Sequence, residues 1–148
     1  MIRFTIPGKP QGKGRPRFTR SGRTYTDAKT LGYEKAVSFA CRVGMGDLAP
    51  FVGPVEVQMK VRLVPAVSLA KKVRAAMLSG DTLPIKNGDV DNYAKSVLDG
   101  MNGIAYADDK QVCRLTVEKV YAEEAGVDVA IFPLPCNVGD IAAHERKA

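Results

Sequence analysis

The chain has 148 residues, of which 45% are hydrophobic, so it is long enough to bury the core of one compact domain. Its 22 Lys and Arg outnumber its 16 Asp and Glu, and a net charge of +6 favours polyanionic partners such as nucleic acid. Three widely spaced cysteines, a single histidine and the lack of a long apolar run argue against a zinc site, a disulfide framework and a membrane span. We therefore expect a cytoplasmic protein without membrane contact.

The N-terminal part alternates between apolar and polar residues over 2–6, which predicts a strand that Pro7 and Gly8 end. The next segment, 8–26, is rich in glycine and proline and contains no acidic residue. Residues 23–26 at its end are expected to be briefly extended. The aromatic residue Phe18 lies among the basic residues of this segment, which are Lys9, Lys13, Arg15, Arg17, Arg20 and Arg23.

A first helix is predicted from a cap at Thr26 or Asp27 to about Val43, before Gly44 and Gly46. Its packed side is expected to carry the apolar residues Leu31, Val37, Phe39, Ala40 and Val43. Alternation predicts a clear strand over 55–64, whose odd-numbered apolar residues face the core. A short helix over 69–78 and a loop over 79–88 should follow.

The last third of the chain contains a helix from Asp89 or Val90 to about Met101, which shows the helical period in its apolar residues. Strands are predicted over 111–122 and 127–134. The fold class is α+β, with a mixed sheet of about four strands and two or three helices packed on it. Residues 1–134 are expected to form a single domain, and residues 135–148 a short tail that contains His144, to which we assign no role.

Acidic residues gather where this third helix begins and just after it ends. Asp91 and Lys95 lie one turn apart on one helix face, and Asp89 can join them if it precedes the helix or caps it. We expect the turn at Asp108 and Asp109 to bring one of that pair back onto the start of the helix. Three converging carboxylates would suit Mg²⁺ or Mn²⁺ and the hydrolysis of phosphodiesters.

Each of these residues also has an ordinary structural interpretation. Asp91 and Lys95 are a common kind of helix ion pair, Asp89 alone is a helix cap, and Asp108 with Asp109 is a turn. Asp99 lies two turns beyond Asp91 and is expected to have a supporting or solvent-exposed position. Tyr93 and Tyr106 are expected to pack in the core.

The acidic pattern resembles the signature of the RusA family, the Holliday junction resolvases or crossover junction endodeoxyribonucleases. The residues that carry the resemblance are Asp89-Val90-Asp91-Asn92-Tyr93-Ala94-Lys95 and then Tyr106-Ala107-Asp108-Asp109-Lys110-Gln111. The segments Pro7-Gly8-Lys9-Pro10 and Lys13-Gly14-Arg15-Pro16-Arg17-Phe18 are also similar to the N-terminal part of many phage members.

The resemblance implies a homodimer that binds four-way DNA junctions and makes paired nicks with Mg²⁺ or Mn²⁺, in DNA recombination and repair, without an organic cofactor. By position, its metal ligands correspond to Asp89, Asp91 and Asp109, and its catalytic lysine corresponds to Lys95. Asp108 is the weaker candidate of its pair.

The basic segment is expected to contact junction phosphates through Lys9, Lys13, Arg15, Arg17, Arg20 and Arg23, with Phe18 stacking at the junction centre. The alternative is a solvated loop with Phe18 packed against the sheet. Two other functions remain open: a DNA-binding module without catalysis, and a metal-dependent nuclease for other branched DNA or for RNA.

Overall fold

The computed structural model describes residues 1–14 and 17–136, and every structural statement below refers to these residues. The helices and strands follow one another as β1 (Ile2–Pro7), β2 (Arg17–Phe18), β3 (Thr24–Tyr25), α1 (Ala28–Met45), β4 (Val55–Leu63), α2 (Lys71–Ser79), α3 (Val90–Met101), a short 3₁₀ helix (Asp109–Gln111), β5 (Val112–Tyr121) and β6 (Gly126–Pro133). The predicted strands and helices are confirmed, with boundary shifts of one or two residues.

Four strands form one mixed sheet in the order β1-β6-β4-β5. The pair β4 and β5 is parallel, whereas β6 is antiparallel to both β1 and β4. The alternation in β4 gives the expected result, because its apolar residues Val55, Val57, Met59, Val61 and Leu63 are all buried. The fold class is therefore the predicted α+β arrangement.

Helices α1 and α3 pack against each other and cover one face of the sheet. They approach closely at Gly100, where an added Cβ would lie 2.6 Å from Cβ of Val37. Near the C-terminus of α1, an added Cβ at Gly44 would lie 2.8 Å from Cβ of Phe4 in β1. These two contacts fix which side of α1 faces the core.

The predicted core side of α1 is wrong in part, because Leu31, Phe39 and Val43 are exposed. Val37 and Ala40 are buried as expected. The other buried positions of this helix are Thr30, Tyr33, Cys41 and Met45. Helical periodicity alone does not decide between the two sides of this helix, and the contacts with α3 and β1 selected the side that contains Thr30, Tyr33 and Cys41.

Helix α2 has no buried residue, so α1 and α3 are the two helices that form the core with the sheet. Strands β2 and β3 pair as a small separate hairpin, within a segment predicted to be mostly irregular. Its loop turns at Gly22, where φ is 79° and glycine avoids a steric cost. No helix in the described part of the chain is long and apolar enough to cross a membrane.

The tail from residue 137 onward, including His144, lies outside the described residues, as do Arg15 and Pro16.

Tyr93 and Tyr106 are buried, as expected. The Tyr106 hydroxyl donates a hydrogen bond of 3.0 Å to the carbonyl oxygen of Leu98. This bond fastens the loop after α3 to the C-terminal half of that helix.

Candidate active site

Two carboxylates lie at the N-terminus of α3 without a side-chain partner among residues 1–14 and 17–136. Asp89 occupies the cap position with extended backbone angles (φ −72°, ψ 143°), yet its side chain makes no capping hydrogen bond. Asp91 lies in the first turn and is exposed, as is Lys95 one turn later. No ion pair joins Asp91 to Lys95 within the described chain. Both carboxylates are therefore available to a ligand, and the helix dipole favours their charge there.

The turn before Asp89 is held in place from two sides. Lys119 of β5 donates hydrogen bonds to the carbonyl oxygens of Asn87 (3.3 Å) and Gly88 (3.0 Å). An added Cβ at Gly88 would lie 3.0 Å from the Tyr93 hydroxyl, so the glycine lets the turn pack on this buried ring. The position of Asp89 is consequently set by β5 and by the core.

The second acidic pair is arranged by Gln111. Asp108 caps the 3₁₀ helix by accepting a 2.9 Å hydrogen bond from the Lys110 amide, and it forms a capping box with Gln111. The Gln111 side chain also donates to the carbonyl oxygens of Phe51 (2.8 Å) and Gly53 (3.0 Å). The turn interpretation is thus confirmed for Asp108, and Asp109 is the member of the pair that does not cap.

Asp109 is half-buried beside other negative charges. Its burial raises the pKa of its carboxyl above the ordinary value, and the neighbouring Asp108 and the charge of Asp99 raise it further. In contrast, the Lys110 amide, which donates to Asp108, lowers the pKa of the Asp108 carboxyl. A carboxylate whose ionised form is disfavoured by burial and by neighbouring acids is typical of a site that binds a cation.

The two groups of acids lie at opposite ends of α3 in one chain. Asp89 is fixed next to Lys119 near the end of β5, whereas Asp109 comes just before the start of this strand. Asp109 also feels the charge of Asp99, which is eight residues beyond Asp91, about 12 Å along the helix axis. The expected return of Asp109 to the start of the helix is therefore wrong within a single chain. The reason is that Gln111 ties this turn to the loop before β4.

Among residues 1–14 and 17–136, no three Asp, Glu, His or Cys side chains are grouped closely enough to hold a metal ion. Carboxylate oxygens are the donors that Mg²⁺ and Mn²⁺ prefer, so Asp89 and Asp91 fit such an ion chemically. One chain nevertheless supplies only part of the predicted trio at this place.

The basic segment enters the fold between the N-termini of the two core helices. The Lys13 amide donates to the Asn92 carbonyl oxygen of α3 (3.2 Å). The next amide, that of Gly14, donates to Oγ1 of Thr30 in α1 (3.0 Å). Asp27 caps α1 through a 2.7 Å hydrogen bond from the Thr30 amide, as predicted. The hairpin that follows therefore starts beside the end of α3 that carries Asp89 and Asp91.

The hairpin itself is open to solvent. Phe18 is 72% exposed, which contradicts the alternative in which it packs against the sheet. The remaining basic residues of the segment are exposed and make no ion pair with any described residue: Lys9, Arg17, Arg20 and Arg23. Lys13 differs, because it forms ion pairs with Glu34 and Asp99. Arg15 lies outside the described residues.

Sequence reasoning missed the contacts of three residues that shape this region: it gave Gln111 and Lys119 no role and expected Lys13 to be a phosphate contact. Gln111 belongs to the acidic signature, so its position in the motif was a usable signal for its function as a brace. Lys119 lies in a strand pattern and Lys13 in a basic segment, and both look like ordinary solvent-exposed lysines in the sequence. Their partners are 31 and 86 residues away, and such contacts have no local signature.

Comparison with known proteins identifies the family to which this chain belongs. The model of the family described as endodeoxyribonuclease RusA matches residues 7–132. The uncharacterized protein YqaN of Bacillus subtilis (strain 168) is 37% identical over 135 residues, which cover 88% of this chain and 94% of that protein. The matched range of the family contains both acidic groups and the basic hairpin. The chain therefore belongs to the RusA family of endodeoxyribonucleases and is a nuclease of that family.

Proposed function

We propose that the protein resolves four-way DNA junctions by paired nicks and that its active site uses Mg²⁺ or Mn²⁺. The observation that carries this proposal is the N-terminus of α3, where Asp89 and Asp91 have no side-chain partner among the described residues and where the basic segment bonds to Asn92 through the Lys13 amide. A polyanion bound by the hairpin would have its backbone close to these carboxylates. A bound divalent ion would neutralise charge on the reacting phosphate and activate water.

Lys95 is the cationic side chain nearest in sequence to this pair on the same helix face. Because it makes no ion pair with any described residue, its ammonium group is available to a phosphate oxygen. The exposed Lys9, Arg17, Arg20 and Arg23 would add contacts with the DNA backbone, and Phe18 would stack on an unpaired base at the junction centre. Arg15 is proposed to act with them on the strength of its sequence position.

The separation of the acids within one chain favours a homodimer as the active form. In a dimer with two-fold symmetry, a contact between the N-terminal end of one α3 and the C-terminal end of the partner's α3 occurs twice. Each of two sites would then combine Asp89 and Asp91 of one protomer with the partner's Asp109. Two such sites also match the two cuts that a junction requires.

Strand β5 is the element best placed to form this dimer. It is an edge strand of ten residues, and it leaves Leu115 43% exposed. Antiparallel pairing of β5 with its copy would set the start of one strand, next to Asp109, against the end of the other, where Lys119 holds Gly88. The same pairing would cover an edge that is otherwise open.

A cleavage assay tests the proposed function directly. The protein is incubated with a synthetic four-way DNA junction, a linear DNA duplex, a single DNA strand or an RNA of the same sequence, each in Mg²⁺ and in EDTA. We expect symmetric paired nicks in the junction alone, and none in EDTA. Binding without nicking would instead indicate a DNA-binding module, and equal cutting of duplex or RNA would indicate a nuclease of different specificity. Either result would refute the proposal.

A further inference from the structure

Lys13 is bound differently from the other basic residues of its segment. Its ammonium group forms ion pairs with Glu34 of α1, at 3.3 Å, and with Asp99 of α3. The side chain is only 27% exposed. The hydrogen bond with Asp99 raises the pKa of Lys13, so the lysine stays charged over the whole neutral range. Two carboxylates thus already neutralise this cation.

The backbone around Lys13 is fixed as well. Its amide bonds to the Asn92 carbonyl oxygen, and the following amide bonds to Thr30. An added Cβ at Gly14 would lie 2.8 Å from Oγ1 of Thr30, so the chain passes this point without space for a side chain. At Gly12, the Asn92 side chain is 3.5 Å from an added Cβ. Residues 12–14 are therefore fitted between α1 and α3, shortly before β2 begins.

We propose that Lys13 is a positioning residue that ties residues 12–14 to α1 and α3, and so holds the basic hairpin at the end of α3 that carries Asp89 and Asp91. A phosphate contact by Lys13 would leave Glu34 and Asp99 half-buried without their cation, which is unfavourable. Lys13 thereby determines where a DNA backbone bound by the hairpin meets the acids. This inference rests on the proposed nuclease function.

The DNA-based test compares Lys13→Met with Lys9→Met, a matched change at an exposed lysine of the same segment. Junction affinity is measured against salt concentration in EDTA, and the nicking rate is measured at saturating protein in Mg²⁺. For Lys9→Met, we expect the salt slope to fall by about one phosphate contact. Lys71→Met, at an exposed lysine of α2 outside the proposed site, is the control for the nicking rate and should keep that rate within about twofold. For Lys13→Met, we expect an unchanged slope and a rate at least about tenfold lower, because misplaced substrate reacts slowly.

Two results would overturn the proposal in this assay. A salt slope reduced by about one in Lys13→Met would make Lys13 an ordinary phosphate contact. A nicking rate within about twofold of the unmodified protein would show that the hairpin needs no such anchor. Lys13→Arg keeps the charge between Glu34 and Asp99, so we expect it to retain most of the rate, and a loss as large as that of Lys13→Met would also count against the proposal.

Hydrogen exchange in the free protein provides a readout that needs no DNA. In Lys13→Met, we expect at least tenfold faster exchange at the amides of Lys13 and Gly14, with the amides of β4 unchanged as evidence of an intact fold. Unchanged exchange at both amides would refute the anchor even if nicking were impaired. If the unmodified protein neither binds nor cuts junctions, the proposed function fails, while this measurement still tests the anchor.

Discussion

At the scale of single residues, the carboxylates of this protein divide by what they bind. Asp27 and Asp108 cap helices, and Asp99 pairs with Lys13. In the part of the chain that the structure describes, Asp89 and Asp91 have no side-chain partner. An acid without a structural partner is free to serve a ligand, and for this reason these two residues are the centre of the proposed site.

Asp91→Asn should abolish nicking while junction affinity stays the same or increases. The change removes a proposed metal ligand, and it also removes a negative charge that repels the DNA backbone. The measurement is junction binding in EDTA together with nicking in Mg²⁺. Asp47→Asn is the control, because Asp47 is exposed in the loop after α1 and should leave both values unchanged. Nicking at the normal rate by Asp91→Asn would exclude Asp91 from the metal site.

Gln111→Ala should destabilise the fold by about 1–3 kcal/mol, because it leaves the carbonyl oxygens of Phe51 and Gly53 without their donor. It also removes the acceptor for the Ala107 amide. Urea unfolding measures the change. Gln58→Ala is the matched control, since Gln58 is exposed and should cost less than about 0.5 kcal/mol. Equal effects of the two substitutions would mean that Gln111 does not brace the acidic turn.

At the scale of elements, the contact between α1 and α3 determines where the basic segment is attached. The described partners of Lys13 and Gly14 all belong to these two helices. The helices meet at Gly100, and Oγ of Ser38 donates a 2.7 Å hydrogen bond to the Gly100 carbonyl oxygen. Close packing of this kind fixes the relative position of Thr30 and Asn92, the two residues that receive the backbone of residues 12–14.

Gly100→Ala should destabilise the protein by about 1–3 kcal/mol, because the new Cβ would overlap the Val37 side chain and force the helices apart. Gly32→Ala makes the same change in α1 at a position with nothing within 4 Å. It should stabilise the protein by about 0.5–1 kcal/mol, through the higher helix propensity of alanine. Urea unfolding of both variants decides the matter, and destabilisation by Gly32→Ala or tolerance of Gly100→Ala would contradict this packing.

The reactivities of Cys41 and Cys113 test the burial of α1 and the exposure of β5 separately. Cys41 is buried in α1, and burial raises the pKa of its thiol to about 11, whereas Cys113 of β5 is exposed. In the native protein, iodoacetamide should therefore modify Cys113 and spare Cys41, and in urea it should modify both. Mass spectrometry of the peptides gives the result. Native modification of Cys41 at the rate of Cys113 would mean that this face of α1 is not in the core.

At the scale of the whole molecule, the proposed function depends on the net positive charge of the chain and on the two-fold symmetry of the proposed dimer. The chain carries a net charge of +6, and its hairpin presents Arg17, Arg20 and Arg23 to solvent. Because one chain separates Asp109 from Asp89 and Asp91, the proposed site depends on a second copy. That dependence can be tested without a structure of the dimer.

Asp91→Asn and Asp109→Asn should each be inactive alone, yet a refolded equal mixture should nick junctions. In the mixed dimer, one site collects both substitutions and the other site has neither, so one strand is cut. Random pairing should place about half of the molecules in mixed dimers. Nicking of the separated variants and of the mixture is measured on the same junction. An inactive mixture would indicate that each site is built within one chain.

The sequence by itself determined the elements and the chemical groups. Alternation identified β1 and β4, and the helical period together with a cap identified α1 and α3, because these patterns follow from the local geometry of a strand or a helix. Strands β5 and β6 were also predicted from the sequence. The spacing of Asp89, Asp91 and Lys95 likewise placed them on one end of one helix. These properties depend on neighbours within a few residues, and a sequence contains that information directly.

Only the tertiary structure decided which face of α1 is buried, that Lys13 has two carboxylate partners, and that Asp109 lies at the far end of α3 from Asp91. Each of these depends on contacts between residues far apart in the chain. The energy of such contacts comes from how whole elements pack against one another, so a local pattern cannot predict them. The fold brings residues 13 and 14 of the basic segment to the N-termini of α3 and α1, and it places Asp109 within reach of the charge of Asp99, in the C-terminal half of α3.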